Sequence, residues 1–183
     1  MKHTGQQHNN IGRALRLTAR LSALICGLGM VQASHAATAT GLMTVTATVA
    51  ATCVVGTSTL AFETATSAAI ASGNVDAIGT VSVNCTLGSG YTIALSAGAG
   101  TGATVDSRKM TSGSGATAQL LSYTIYTTAA RTTVWGDGTT ASASVAGIGS
   151  GVSQSIAAYG RIFQSPLVQA ATYSDTLNVT VTY

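Results

Sequence analysis

Histidine is missing from every position after His35, proline occurs only as Pro166, and charged residues make up just 7% of the 183-residue chain. Each shortage removes a class of function. Without histidine, a serine or cysteine nucleophile lacks its usual base. Zinc asks for four ligands, and beyond residue 36 only Cys53 and Cys85 offer a thiolate, with no imidazole to complete the set. The five acids, Glu63, Asp76, Asp106, Asp137 and Asp175, are dispersed. None of them shows the pairing of a glycosidase or the dense oxygen spacing of a calcium loop. Lys109 alone could serve a Ser/Lys arrangement, and it sits in the charged run Asp106-Ser107-Arg108-Lys109-Met110, which reads as a solvated edge between turns. The chain is therefore expected not to be an enzyme, with no catalytic residues, no metal and no cofactor. Long apolar runs are absent as well, since no stretch reaches the ~20 residues of a membrane-spanning helix.

The first 36 residues carry the three parts of a secretory signal: Lys2, Arg13, Arg16 and Arg20, then an apolar run from Leu21 to Val31, then the small residues of Ser34-His35-Ala36. Cleavage is expected after Ala36. Leu24-Ile25-Cys26-Gly27 resembles a lipoprotein box, but Ile25 is bulky where a small residue is required. Removing residues 1–36 takes away all three histidines, Cys26 and four of the eight basic residues. The remaining 147 residues carry Arg108, Lys109, Arg131 and Arg161 against five acids, a net charge of −1 in place of the +3 of the whole chain. Without a basic excess there is no electrostatic footprint for nucleic acid. In an exported chain the two remaining cysteines, Cys53 and Cys85, are assigned to one disulfide. The loop it closes corresponds to about 3 to 4 kcal/mol in the chain-entropy model.

What the sequence does contain is alternation with a period of two. It recurs at Val81, Val83 and Cys85, at Tyr91, Ile93 and Leu95, at Leu121, Tyr123 and Ile125, and from Leu177 through Val179 and Val181 to Tyr183. Disordered tracts have no reason to keep that period. Glycine-rich turns separate the runs, among them Gly88-Ser89-Gly90 and Gly113-Ser114-Gly115, and Asp137-Gly138 after Trp135 predicts a hairpin turn. The pattern is that of a single all-β sandwich with almost no helix, in which Pro166 opens the connection into the last strand. Trp135, Tyr123 and Tyr126 are read as core packing rather than as a sugar-stacking surface. Ahead of Cys53, Met43-Thr44-Val45-Thr46-Ala47-Thr48-Val49 alternates strictly, which predicts a further strand with one apolar side. That strand can be buried in its own sheet or lent to a neighbour.

Taken in order, the alternating strand before Cys53, the Cys53 and Cys85 pair with Val81-Ser82-Val83-Asn84-Cys85, the block from Leu121 to Trp135 and the ending from Tyr173 to Tyr183 resemble the spore coat protein U family. That family includes subunits of archaic chaperone-usher pili of the Csu type. This chain has Thr127 where family members often carry an acid after the tyrosine of the central block. The resemblance implies an incomplete immunoglobulin-like β-sandwich of the pilin type, lacking its last strand and completed by donor-strand exchange. On that reading residues 37–50 form the donor segment and 51–183 the pilin-like domain. Met43, Val45, Ala47 and Val49 would enter a neighbour's groove, and Leu177, Val179 and Val181 would help form the acceptor groove. The implied partners are further copies of the chain in a head-to-tail homopolymer, a periplasmic chaperone and an outer-membrane usher. Export through the periplasm to a cell-surface pilus and a role in adhesion and biofilm formation follow from the same resemblance. The alternatives are a self-contained secreted binding module and a coat-layer protein.

Overall fold

A computed structural model describes residues 35–63, 65–113, 118–139 and 142–183. The signal expected over residues 1–36, with Cys26, lies outside the described residues apart from His35 and Ala36. The chain divides into two units, Met1–Thr46 and Ala47–Tyr183. In the first, the described residues are exposed and carry no regular secondary structure.

The second unit is a sandwich of two antiparallel sheets. Its strands are β1 (Cys53–Val55), β2 (Val75–Cys85), β3 (Gly90–Leu95), β4 (Arg108–Ser112), β5 (Gln119–Tyr126), β6 (Val145–Ile148), β7 (Gln154–Ile162) and β8 (Val179–Thr182). One sheet runs β1-β2-β7-β5-β4 and the other β6-β3-β8. The alternation read from the sequence is what puts the core between them. Val81, Val83 and Cys85 of β2, Tyr91, Ile93 and Leu95 of β3, and Leu121, Tyr123 and Ile125 of β5 are all buried. On β2 and β3 the residues between them are more exposed, as period-two geometry requires, whereas on β5 Thr124 is buried too and donates its hydroxyl to Asp106 O at 2.6 Å. Cys53 and Cys85 stand opposite each other in the β1–β2 register and are joined as the expected disulfide. The one short helix among the described residues, α1 (Ser67–Ser72), starts where the Thr66 hydroxyl accepts from the Ala69 N–H at 3.1 Å, and it is anchored by buried Ile70.

Four features differ from the sequence reading. Residues 43–49 form no strand, because a strand is defined by hydrogen bonds to a neighbour and these residues have none in the isolated chain. The final strand is shorter than its alternation, with only Val179–Thr182 in the ladder. Asp137-Gly138 is not a hairpin turn: Trp135 and Ala143 form a parallel bridge, and the Asp137 carboxylate folds the chain locally by accepting from Thr139 N at 2.9 Å and from its hydroxyl. Arg108 is not a solvated charge but fully buried.

The Arg108 guanidinium is a fork of donors, and here each branch meets a backbone carbonyl. It donates to Ser96 O at 2.9 Å, Val105 O at 2.8 Å, Trp135 O at 2.7 Å and Leu95 O at 3.4 Å. Trp135, also fully buried, donates its indole N–H to Ile93 O at 3.0 Å and its backbone N–H to Ile125 O at 2.8 Å. Together these bonds tie β3 of one sheet to β4 and β5 of the other. On the outer face, Asp76 of β2 accepts from Arg161 of β7 in a two-pronged pair at 2.7 and 2.9 Å, and Arg131 approaches the same carboxylate at 3.3 Å. Hydrogen bonding from Arg161, reinforced by the charge of Arg131, holds the Asp76 carboxyl below the usual carboxylate range.

Arg108→Met is expected to leave these carbonyls without a donor and lower unfolding stability by more than about 3 kcal/mol, while Lys109→Met costs under about 1 kcal/mol. Urea unfolding of the two variants checks the difference, and equal losses would return Arg108 to the surface. A depressed carboxyl contributes stability above its unfolded pKa and loses it as pH falls. The stability gap between wild type and Asp76→Asn at pH 7 is therefore expected to narrow progressively once pH falls below about 4, the unfolded value, and to vanish only below the lowered folded one. A gap that does not change with pH across this acid range would show that the charge of Asp76 contributes nothing.

Candidate functional site

Between β1 and α1 the chain leaves the sheet edge and becomes one wall of a groove. Thr59 pairs with Thr80 of β2 through N–H to O bonds of 3.1 and 2.9 Å, after which Leu60 and Phe62 turn inward, half-buried against the core. Two glycines make room for them. A Cβ at Gly79 would collide with the Thr59 carbonyl and Leu60, and one at Gly160 would stand 2.7 Å from Leu60 Cδ2 and 2.8 Å from Phe62 Cζ. Phe62 meets the Tyr123 ring edge-on, with centroids 6.1 Å apart.

The chain's last segment makes the opposite wall. From Tyr173 to Thr182 burial alternates, with Tyr173, Asp175, Leu177, Val179 and Val181 half-buried and the residues between them exposed. β8 pairs with β3 from Leu95↔Val179 to Thr92↔Thr182, and Ser96 N donates to Asn178 O at 3.0 Å. In an antiparallel ladder, alternate residues send their backbone groups to opposite sides. Asn178, Thr180 and Thr182 therefore face β3, while Leu177, Val179 and Val181 direct theirs to the outer edge, where β8 ends its sheet.

Between the walls lies a cavity of about 640 Å³. Its floor is Val81, Leu95, Met110, Tyr123, Ile125 and Ala158, and its sides include Leu60, Phe62, Leu177 and Val179. A second cavity of about 560 Å³, lined by Ile70, Leu121, Ile162 and Val168 among others, shares Glu63, Met110 and Tyr173 with the first. Protein interiors tolerate few voids larger than a water molecule. A trough of this size with a mainly apolar floor, rimmed by Thr59, Glu63 and Asp175 among others, beside an unpaired strand edge could take an extended chain, the edge supplying backbone bonds and the floor receiving alternate side chains.

Asp175 fastens the second wall in place. Its carboxylate accepts from the Tyr123 hydroxyl at 2.7 Å, from Ala99 N at 2.8 Å and from Thr176 N at 2.8 Å. Gly98, at φ +89°, leaves room for that carboxylate. Burial pushes the Tyr123 phenol far up, and the bond to Asp175 pushes it further, so it remains a neutral donor.

Of the residues expected in an acceptor groove, Leu177 and Val179 line the cavity, whereas Val181 packs half-buried against the core outside that lining. Met43, Val45, Ala47 and Val49 are exposed, the first two at 87% and 82% and Val49 at 86%. Sequence reasoning missed Leu60, Phe62 and Asp175. The first two did have a signal, the short alternation Thr59-Leu60-Ala61-Phe62, but Asp175 looks like any turn acid until Tyr123 is placed beside it. Among the described residues no group of three or more histidine, cysteine or acidic side chains is gathered to hold a metal.

Residues 39–180 match the family model described as Spore Coat Protein U domain. No curated protein matches the sequence. Among solved structures the chain is similar to one in the crystal structure of the CsuC-CsuE chaperone-tip adhesion subunit pre-assembly complex from archaic chaperone-usher Csu pili of Acinetobacter baumannii. Identity there is 19% and the TM-score 0.49, over 74% of this chain and 40% of that one, so this chain spans less than half the other's length.

Tyr123→Phe removes the donor to a charged acceptor while keeping the ring in the floor. It is expected to cost about 1.5 to 3 kcal/mol, measured by urea unfolding. No loss would mean that Asp175 is held without Tyr123.

Proposed function

This chain belongs to the Spore Coat Protein U domain family, and on that footing we propose that it is a structural subunit of an archaic chaperone-usher pilus, polymerising by donor-strand exchange. One observation carries the reading: a single chain holds both an open apolar groove with a free strand edge and, ahead of Cys53, an exposed segment of alternating apolar residues. The groove lacks a strand and the segment lacks a sheet. Residues 37–50 are the donor segment and 51–183 the domain that receives it. Met43, Val45, Ala47 and Val49 enter the neighbour's groove, whose final-strand wall is Leu177, Val179 and Val181, while Thr44, Thr46 and Thr48 face outward.

Burying Met43, Val45 and Val49 contributes about 1.5 to 3 kcal/mol each, roughly 5 to 9 kcal/mol together, before the backbone bonds are counted. Release of the strand means partly unfolding the domain around it, so the link is long-lived kinetically. Until polymerisation the free edge is an aggregation hazard. A periplasmic chaperone covers it by lending a strand, and exchange takes place at an outer-membrane usher. The product is a cell-surface filament that supports adhesion and biofilm formation.

The test is an SDS gel of material sheared from cells, boiled and unboiled, for the native chain, for Val45→Lys and for a chain lacking Thr40 to Val49 behind an intact signal. The native chain is expected to give a ladder that survives SDS and collapses on boiling. Both variants are expected to lose the ladder, with Val45→Lys still recovered in complex with the chaperone. A native chain that runs as a stable monomer would move the reading to a self-contained sandwich completed by its own N-terminal strand.

A further inference from the structure

Where the N-terminal segment joins the sandwich, it is clamped. Thr52 N donates to the Thr86 hydroxyl at 2.9 Å, Thr86 N donates to Thr52 O at 2.9 Å, and the next residue, Cys53, is bridged to Cys85. The turn that holds the clamp carries Leu87, 76% exposed. Against it lies the turn between β6 and β7, which begins after Ile148 and includes Val152, exposed at 66% and 65%. The two turns are locked together by Gly88 N to Gly149 O and Gly149 N to Ser89 O, both 2.8 Å, and by Gly151 N to Cys85 O at 3.0 Å. A Cβ at Gly151 would stand 3.6 Å from the Leu87 Cβ. Neither 84–91 nor 147–154 contains a charged residue. Beside the exit of the segment, two bonded turns without charge thus carry a crown of three large exposed aliphatic side chains.

We propose that Leu87, Ile148 and Val152 form a second contact between consecutive copies of this chain, seated on the rim of the neighbour's acceptor groove. The proposal rests on the strand-exchange reading and adds a surface to it. Only Ala50 and Ala51 separate Val49, the last apolar donor residue, from clamped Thr52. Fully extended, that stretch reaches about 11 Å. A neighbour that holds Val49 in its groove must therefore lie within that distance of Thr52, close enough to cover the aliphatic crown. Isolated apolar side chains are ordinary on a surface, but a group held rigid beside the base of the segment that the neighbour holds is a contact site. The lack of charge means no ion has to be desolvated when the crown is covered.

Maleimide labelling of sheared polymer tests this, using the full chain with Val152→Cys and, separately, with Thr92→Cys. Thr92 is exposed at mid-strand on the outer face of β3, and the native cysteines are held in the disulfide. Thiol reactivity follows access, so Cys at 152 is expected to label about tenfold more slowly than Cys at 92 in the polymer. Equal rates in material that still gives an SDS-resistant ladder would overturn the crown contact and leave strand exchange standing. A missing ladder in the unsubstituted chain would remove strand exchange, and this contact with it. Leu87→Asp with Val152→Asp supplies a second reading: the ladder stays, and the filaments become measurably more flexible by electron microscopy. Unchanged stiffness would mean the crown faces solvent.

Discussion

On the outer edge of β8 the backbone groups of Leu177, Val179 and Val181 point away from their sheet, while the side chains beside them border an apolar trough. Backbone N–H and C=O groups kept from water require partners, and apolar surface requires cover. Both demands fall on one seam of the sandwich, and a single extended segment would meet both. The geometry of the whole second unit is organised around that seam.

A sandwich with an open side has fewer apolar contacts to hold its sheets together, and polar side chains take over part of the task. Arg108 binds the carbonyls of Leu95, Ser96, Val105 and Trp135 at the centre, and Trp135 bonds to β3 and β5. Asp175 draws the start of the final segment onto Tyr123 and Ala99. The disulfide closes a loop that contains the other wall, residues 58–63, and ties the exit of the N-terminal segment to the end of β2. Each wall is thus anchored from behind, which leaves the trough between them free to receive a strand without collapsing. Away from the trough, the exposed side chains of Leu87, Ile148 and Val152 lie on the two turns bonded beside the Thr52–Thr86 clamp.

Much of this was legible. Val81, Val83, Tyr91, Ile93, Leu121 and Tyr123 declared their burial by period, and the family to which the chain belongs could be read from the order of its alternating blocks around Cys53 and Cys85. The cysteine pairing followed from there being only two cysteines beyond residue 36. Arg108 was not legible, because a charged residue between Ser107 and Lys109 reads as surface, and only the convergence of four carbonyls from distant segments makes its burial tolerable. The Leu60 and Phe62 wall was hidden for a similar reason. Its inward turn depends on Gly79 and Gly160, which lie far along the chain and leave the space it fills.

By itself the sequence determined the class of structure, because period-two patterning is a local property of each segment. It also marked residues 43–49 as a strand in search of a sheet. Only the tertiary structure decided that the final strand ends its sheet with an unpaired outer edge, that a trough opens between residues 58–63 and 173–179, and that the turns carrying Leu87, Ile148 and Val152 are bonded to each other beside the Thr52–Thr86 clamp. Those facts depend on which distant segments become neighbours, and no periodicity within a segment encodes what will stand beside it.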